Sequence, residues 1–331
     1  MTIDLTGGIE LSVDEMRLDP PPSPTFREGA AMFVWDDAGR FAVPRAMVEA
    51  VGATWDSARG VLLYVGEPGG RLLACRQEAP PHPVLDGRGR PRVLGGGPMR
   101  FECLEPFARW RLTFDGTAQE VDARDGAAAA GSEVPVGLAV EARMTAPPWV
   151  QGSRDPEGHF NPGEHRFEQH FRATGTLAID GTETAFTGGG LRIHRTGGSR
   201  GTGEDFYGHV WQTARFPSGR AFGFMHYHPR PDGTERYREG WVLDRGGIVP
   251  ARPAEVAWMT GVQPDGEDVS LTLRAPSGDV RIEAETVVSW YRPEKPQPGR
   301  ATTFPTLHSG IARYRWDGEE AFGMIERSAV R

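Results

Sequence analysis

Short runs of alternating apolar and polar residues recur along most of the chain, each bounded by Gly, Pro or Asp-Gly. An extended segment shows its side chains to opposite faces in turn, so a two-residue period marks half-buried β-strands. AAMFVWDDAGRFAVPR at 30–45 predicts two strands around an Asp-Gly type turn, and VLLYVGEPGGRLLACR at 61–76 predicts a second hairpin. FECLEPFARWRLTFDG at 101–116 and VPVGLAVEARMTAPP at 134–148 predict longer strands, while HPVLDGRGRPRVLGGGP and DARDGAAAAGSE have loop composition. The pattern strengthens in the second half, from FEQHFRATGTLAIDG at 167–181 through RAFGFMHYHPRPDG at 220–233 to EEAFGMIERS at 319–328. Its DG, SG and GG turns fall at the spacing of an antiparallel meander. Only EMRLDPPPSP at 15–24 and VPRAMVEAVGA at 43–53 suggest helix, the second more than the first. The expected architecture is all-β, an open sandwich or a barrel that closes its own edges.

Composition agrees with that pattern and adds a domain count. With 331 residues the chain exceeds what one hydrophobic core usually organises, which favours two domains. The 44 glycines and 28 prolines fit many turns, and long helical runs of Ala, Leu, Glu and Lys are missing. PPWVQGSRDPEGHFNPGE, from residue 147 to 164, is the longest region lacking either periodicity, so the expected domains are 1–160 and 161–331.

Charge and leader signals narrow the partners. Acidic and basic residues are interspersed at a net charge of −8, which argues against a nucleic-acid or anionic-membrane surface. MTIDLTGGIELSVDEMRLDP has no basic n-region followed by an apolar h-region, and no stretch approaches a membrane span, so a soluble cytoplasmic protein is expected. Cys75 and Cys103 cannot make a disulfide framework and read as reduced, half-buried thiols. Lys295 is the only lysine and sits in a Pro-rich stretch, which disfavours Schiff-base chemistry.

Histidine is where the chemistry concentrates, since eight of nine fall after residue 158. Imidazole titrates near neutrality and can take or give a proton without a large shift. On an extended FGFMHYH, Phe224, His226 and His228 share a face and either line a pocket or lie solvated beside the PRPDG turn. A metal reading of the two histidines needs a third ligand, and neither HExxH nor CxxC accompanies them. His194 stands before TGGS with Arg192 and Arg200 on either side; it is a candidate acid/base, and the arginines either hold a developing oxyanion or pin a glycine-rich loop. Glu326 ends an apolar strand: pointing inward its pKa would rise and make it a usable acid, and otherwise it pairs with an arginine. Tyr207, His209 and Trp211 share one strand face, which fits either pocket walls or an aromatic core cluster. Neither GxGxxG before a helix, nor GxxxxGK, nor GxSxG is present, and adjacent His308 and Ser309 do not make a dyad.

The run EQHFRATGTLAIDGTETAFTGGGLRIHRTGGSRG, the aromatic strand FYGHVWQ, the hairpin FPSGRAFGF and the terminal GMIERS resemble the second half of a known family. That family is the tandem lipocalin-like group of carotenoid 1,2-hydratase-like and AttH-like proteins. The resemblance covers about residues 165 to 331 and implies two lipocalin-like β-domains with a pocket in or between them. It matches at Gln169, glycines 188 to 190, Arg192, His194, Arg200, Trp211 and Glu326, and it favours Gln169 over Glu168 as the inward group. It departs where the family often has an Arg-Asp-His-Ser-Trp-Gly-like run, because Ile193 and Gly197 replace the acidic and aromatic members.

The reading is a cofactor-independent acid/base enzyme, a lyase, hydratase, isomerase or cyclase, acting on a bulky hydrophobic or aromatic molecule. His194, His226, His228 and Glu326 are its proton-moving candidates. Gln169, Arg192, Arg200, Tyr207, His209, Trp211 and Phe224 are its ligand-binding candidates. The alternatives are a carrier of hydrophobic ligands and a metal-dependent enzyme using His226 and His228, and a homodimer is compatible with each. The reaction class rests on the resemblance.

Overall fold

The computed structural model describes all residues except 1–3, 20–22, 25, 53–55, 152–164, 198–206, 245–246, 294–306 and 330–331, and omits the side chains of 129–132, 165 and 244. Every regular element of the described residues is a β-strand apart from one 3-10 turn, Leu11–Asp14. No helix among the described residues is long and apolar enough to cross a membrane.

Two antiparallel assemblies follow one another. The first contains β1 (Arg27–Asp36), β2 (Ala42–Val51), β3 (Arg59–Gly66), β4 (Leu72–Ala79), β5 (Val93–Gly96) and β6 (Met99–Glu105). It continues with β7 (Arg109–Val121), β8 (Ala128–Met144), the short β9 (Trp149–Val150), β10 (His165–Ile179) and β11 (Thr182–Gly197). Their order is β4-β3-β2-β1-β11-β10-β8-β7-β6-β5, with β9 on β10, and a β4–β7 contact curls the sheet back on itself. The second is a closed eight-stranded barrel of sequential neighbours. Its strands are β12 (Gly208–Arg215), β13 (Ala221–Tyr227), β14 (Arg238–Asp244), β15 (Gly247–Glu255), β16 (Leu271–Ala275), β17 (Gly278–Arg292), β18 (Leu307–Trp316) and β19 (Glu319–Ala329). Closure leaves the barrel without free edges.

Alternation decides which side chains meet. Along β1, Ala30, Met32 and Val34 enter the first core, whereas Ala31, Phe33 and Trp35 join a separate apolar cluster with Trp211, Met225, Trp241 and Met324 of the barrel. The outer faces of the two assemblies therefore pack on each other. Tyr64 stacks on Trp290 at 4.0 Å between ring centres, and Ser309 donates to the Pro44 carbonyl at 3.1 Å across the same seam. At roughly 25 cal/mol per Å², the aromatic residues in this seam make it a substantial source of stability.

Four sequence expectations change. VPRAMVEAV, the part of this segment up to Val51, lies in strand β2, buried at every second residue from Ala46 to Ala50, because β1 and β3 pair with it on both sides. EMRLDP forms no helix among its described residues. Strand β15, GIVPARPAE, carries Pro250 and Pro253 and gave no strand signal; it is nonetheless paired with β14 and β16, with a register irregularity at Pro253. Strands β10 and β11 belong to the first sheet, since β11 runs along β1 for ten residue pairs and β10 along β8 for nine. The change of sheet thus lies between Gly197 and Gly208, later than the boundary expected near residue 160.

Candidate functional site

The residues singled out in the sequence separate into three places. Gln169, Arg192 and His194 lie inside the first sheet, each 1% exposed. The 3-10 turn delivers Asp14 into the same core, where its carboxylate accepts from Phe107 N–H at 2.6 Å, Trp110 Nε1–H at 3.0 Å and Arg192 Nη1–H at 2.6 Å. Burial alone would raise this carboxyl, but Arg192 and His194 outweigh it and hold Asp14 at about 2. Gln169 accepts from Arg192 at 2.8 Å and donates to the carbonyls of Leu5, Phe107 and Ala146. His194 sits 3.5 Å from Asp14 and 3.6 Å from Glu28, ion-pair distances that raise its pKa against the opposing effect of burial. Every polar group of Gln169 and the whole charge of Arg192 are consumed internally, so this cluster ties the N-terminal segment to the sheet.

Phe224, His226 and His228 do share a face, and it is the inner face of the barrel. Phe224 is part of the barrel core. His228 stacks on Trp258 at 3.8 Å and His226 lies 4.8 Å from the same ring. Burial, reinforced by Arg238, lowers His226 to about 4, so it is neutral at physiological pH. Farther round the barrel, Arg327 donates to His308 at 2.9 Å and to Glu267 at 2.8 Å. Among the described residues no group of three His, Cys, Asp or Glu is placed to hold a metal ion.

Glu326, His209 and Trp211 are outside the barrel, on the seam. Glu326 does not enter the barrel interior: alternation along β19 sends Ile325 and Arg327 inward and Glu326 toward the first sheet. There it pairs with Arg45 of β2 and faces His209 Nε2 at 3.3 Å. Burial by itself would raise the carboxyl, as the inward reading supposed, but Arg45 and then His209 lower it to about 2. Glu326 is therefore a fixed anion, unsuited to donate a proton. The other ring nitrogen of His209, Nδ1, meets Ser328 Oγ at 2.7 Å.

Beside this pair the seam carries a buried apolar row with a polar group at each end. Glu326, Trp211, Met225 and Glu239 are consecutive cross-strand neighbours on β19, β12, β13 and β14. Three strand spacings put the two carboxylate positions about 14 Å apart. At the far end the Tyr237 hydroxyl donates to Glu239, and burial followed by that carboxylate raises the tyrosine pKa so that it keeps its proton. Opposite, Glu168 of β10 accepts from Trp211 Nε1–H at 3.0 Å and pairs with Arg166 at 3.2 Å, and the Arg166 guanidinium lies 4.5 Å over the Trp211 ring. Three buried carboxylates in an otherwise apolar seam are costly unless each is paired.

Tyr207 precedes β12 and is half-buried, while Arg200 lies outside the described residues. Both cysteines are free and buried, and burial raises both thiols, which leaves them inert. Arg45, Glu168, Glu239 and Asp14 were missed as site or core residues. Glu168 was legible, because alternation in HRFEQHFR puts it with Arg166 and His170 on the face opposite Gln169. Arg45 was hidden by the helical reading of its segment, and Asp14 by lying 178 residues from its partner Arg192.

No curated protein matches the sequence. Among solved structures, CghA crystallised with Sch210972 superposes with a TM-score of 0.61 at 13% identity, covering 99% of this chain and 96% of that one. An AttH-like protein from Nitrosomonas europaea gives 0.57 at 15% identity over 92% of both chains. Kievitone hydratase from Nectria haematococca gives 0.53 at 9% identity, with coverages of 99% and 96%. These likenesses establish the tandem lipocalin-like fold over nearly the whole chain, including the first half where the sequence resemblance was weak. Residues 12–331 match the model of a domain of unknown function, DUF7064, and the chain belongs to that family.

Proposed function

We propose that the protein is a proton-transfer enzyme of the hydratase or lyase kind, acting at the seam between its two β-assemblies on a bulky, largely apolar molecule. The observation that carries this reading is the Arg45–Glu326–His209 chain, in which a buried carboxylate held ionised by the first sheet faces a histidine on the barrel. A fixed anion at one ring nitrogen orients the imidazole, so the proton is exchanged at the other nitrogen, beside Ser328. In a hydration, the imidazolium proton goes to one carbon of a double bond, and water adds to the cation left on the other. The proton released by that water returns to His209. Trp211, Met225 and Phe33 would wall the apolar part, and the Tyr237–Glu239 pair would bind a hydroxyl at the far end. The fold likeness to a kievitone hydratase makes hydration the first reaction to try, by analogy.

The test is incubation of the full chain with kievitone and a panel of bulky alkenes and polyphenols in oxygen-18 water, with products read by mass spectrometry. Incorporation of solvent oxygen is expected, falling by about a hundredfold or more in His209→Gln and Glu326→Gln, with folding checked by circular dichroism. Undiminished turnover in both variants would remove the site. A molecule retained on the protein and never converted would favour a carrier.

A further inference from the structure

At the end of the seam away from His209, two adjoining crevices of about 500 and 840 Å³ open between the assemblies. Thr145 and Arg215 line both. His209 and Arg215 are six residues apart on β12, which is about 20 Å of extended chain, so these crevices are separate from the proposed proton-transfer pair.

Apart from Arg215, every charged side chain lining the crevices has an ion-pair partner. In the first, Arg172 is paired with Asp37, and Glu320 is held by Arg315 at 3.2 Å and Arg313 at 3.5 Å. In the second, Arg220 binds Glu319 at 2.7 Å and Asp317 at 2.9 Å. Arg215 has no carboxylate partner among the described residues, and its Nε is buried without a hydrogen bond. Burial, with repulsion from Arg172, disfavours its charge, yet a guanidinium cannot discharge near neutrality. One cation without an ion-pair partner is thus held permanently between two cavities.

Its surroundings are built, not floppy. Arg215 ends β12 at a tight hairpin in which Phe216 N–H donates to the Arg220 carbonyl at 2.8 Å and Gly219 N–H to the Phe216 carbonyl at 2.9 Å. The backbone and side chain of Ser218, together with Arg220, anchor this hairpin on Glu319. The first crevice has aromatic walls, Trp35, Phe171, Phe216 and Phe322. His170, which also lines it, adds no charge: burial and then Arg215 lower it to about 3, and it faces the Thr213 hydroxyl at 2.9 Å. That hydroxyl donates to the Phe222 carbonyl, so His170 Nε2 carries the hydrogen that it accepts.

We propose that this crevice binds an organic carboxylate with a flat aromatic body, Arg215 taking the carboxylate and the ring lying among the aromatic walls. A guanidinium presents a planar fork that matches a carboxylate bidentately. A phosphate dianion fits less well, since it would call for further free cations and Arg172 and Arg220 are already neutralised by their own partners. A volume near 500 Å³ falls in the range of small-molecule sites. The site requires no turnover and stands whether or not His209 moves protons.

The probe is 4-fluorobenzoate, titrated into the full chain and followed by fluorine NMR, with 4-fluorobenzamide as the uncharged isostere. Saturable binding of the benzoate is expected, weakened about tenfold or more for the benzamide and for the Arg215→Gln variant, and partly restored by Arg215→Lys. Equal affinity for benzoate and benzamide, equal affinity in wild type and Arg215→Gln, or no saturable binding below about 10 mM overturns the proposal. The benzoate–benzamide comparison uses only the wild-type protein, so it decides the matter even if the variants fold poorly.

Discussion

Arg45 and Glu326, 281 residues apart in sequence, form an ion pair across the seam between the two β-assemblies. Arg45 also lies 5.5 Å from the Phe33 ring centre, so its guanidinium is fixed on two sides. The pair joins the two packed faces and sets the charge state of the carboxylate that faces His209.

Removing the cation alone should therefore be worse than removing both charges. Arg45→Ala leaves Glu326 buried without its partner and is expected to cost about 2–3 kcal/mol, below the 3–5 typical of a dry pair because both side chains keep some exposure. Arg45→Ala combined with Glu326→Gln should cost less than the sum of the single changes. Urea unfolding of the four proteins measures the coupling, and strict additivity would show the pair to be energetically idle.

Asp14→Asn tests the cluster inside the first sheet. Asparagine keeps an acceptor for Phe107 and Trp110 but strips the fully buried Arg192 of its counter-charge. A loss of about 3–5 kcal/mol is expected, with a lowered Tm. A melting curve matching wild type would show that Arg192 does not depend on Asp14 for its stability in the core.

Acid sensitivity should begin near neutrality. His170 and His226 are lowered by burial to about 3 and about 4, and His308 lies well below its ordinary value. The unfolded chain binds protons at these groups from about pH 6.5 downward while the folded chain does not, so their stabilisation is complete above 6.5 and is lost as pH falls. Each contributes up to about 1.4 kcal/mol per pH unit. His194, raised in the folded state, has the opposite sense: its contribution is present below 6.5 and fades as pH rises through its folded value. Denaturant titrations at pH 7.5, 6.5 and 5.5 should show His226→Phe with a shallower pH slope, the difference growing toward one proton's worth at the acid end, and identical slopes would refute the assignment.

The glycine triplet is predicted to be intolerant of any side chain. A Cβ on Gly190 would sit 2.2 Å from the Phe171 ring and 2.4 Å from the Phe33 carbonyl, so Gly190→Ala should cost at least about 3 kcal/mol or abolish soluble expression. On Gly189 the obstacle is the Trp35 side chain at 2.8 Å. Gly189→Ala should accordingly be rescued in part by Trp35→Leu, whereas Gly190→Ala should not be, because its obstacle includes backbone. Thermal melts of the two single variants and of each combined with Trp35→Leu distinguish these cases.

Period-two alternation made strands, hairpins and the all-β class legible in the sequence, because burial on one face of a pleated sheet must recur at every second residue. It also paired His226 with His228 and His209 with Trp211 on common faces. It failed where local chemistry contradicted tertiary demand, as at Pro250 and Pro253 of β15 and in the helix-like VPRAMVEAVG of β2. Alternation cannot tell which of two faces looks into a barrel and which onto a neighbouring sheet. Strand order decided that, sending His226 inside, Glu326 to the seam and Arg192 into the first core. The charge states of Glu326 and Asp14 were likewise decided only in three dimensions, since Arg45 and Arg192 approach them from distant parts of the chain and Coulomb interaction depends on that separation.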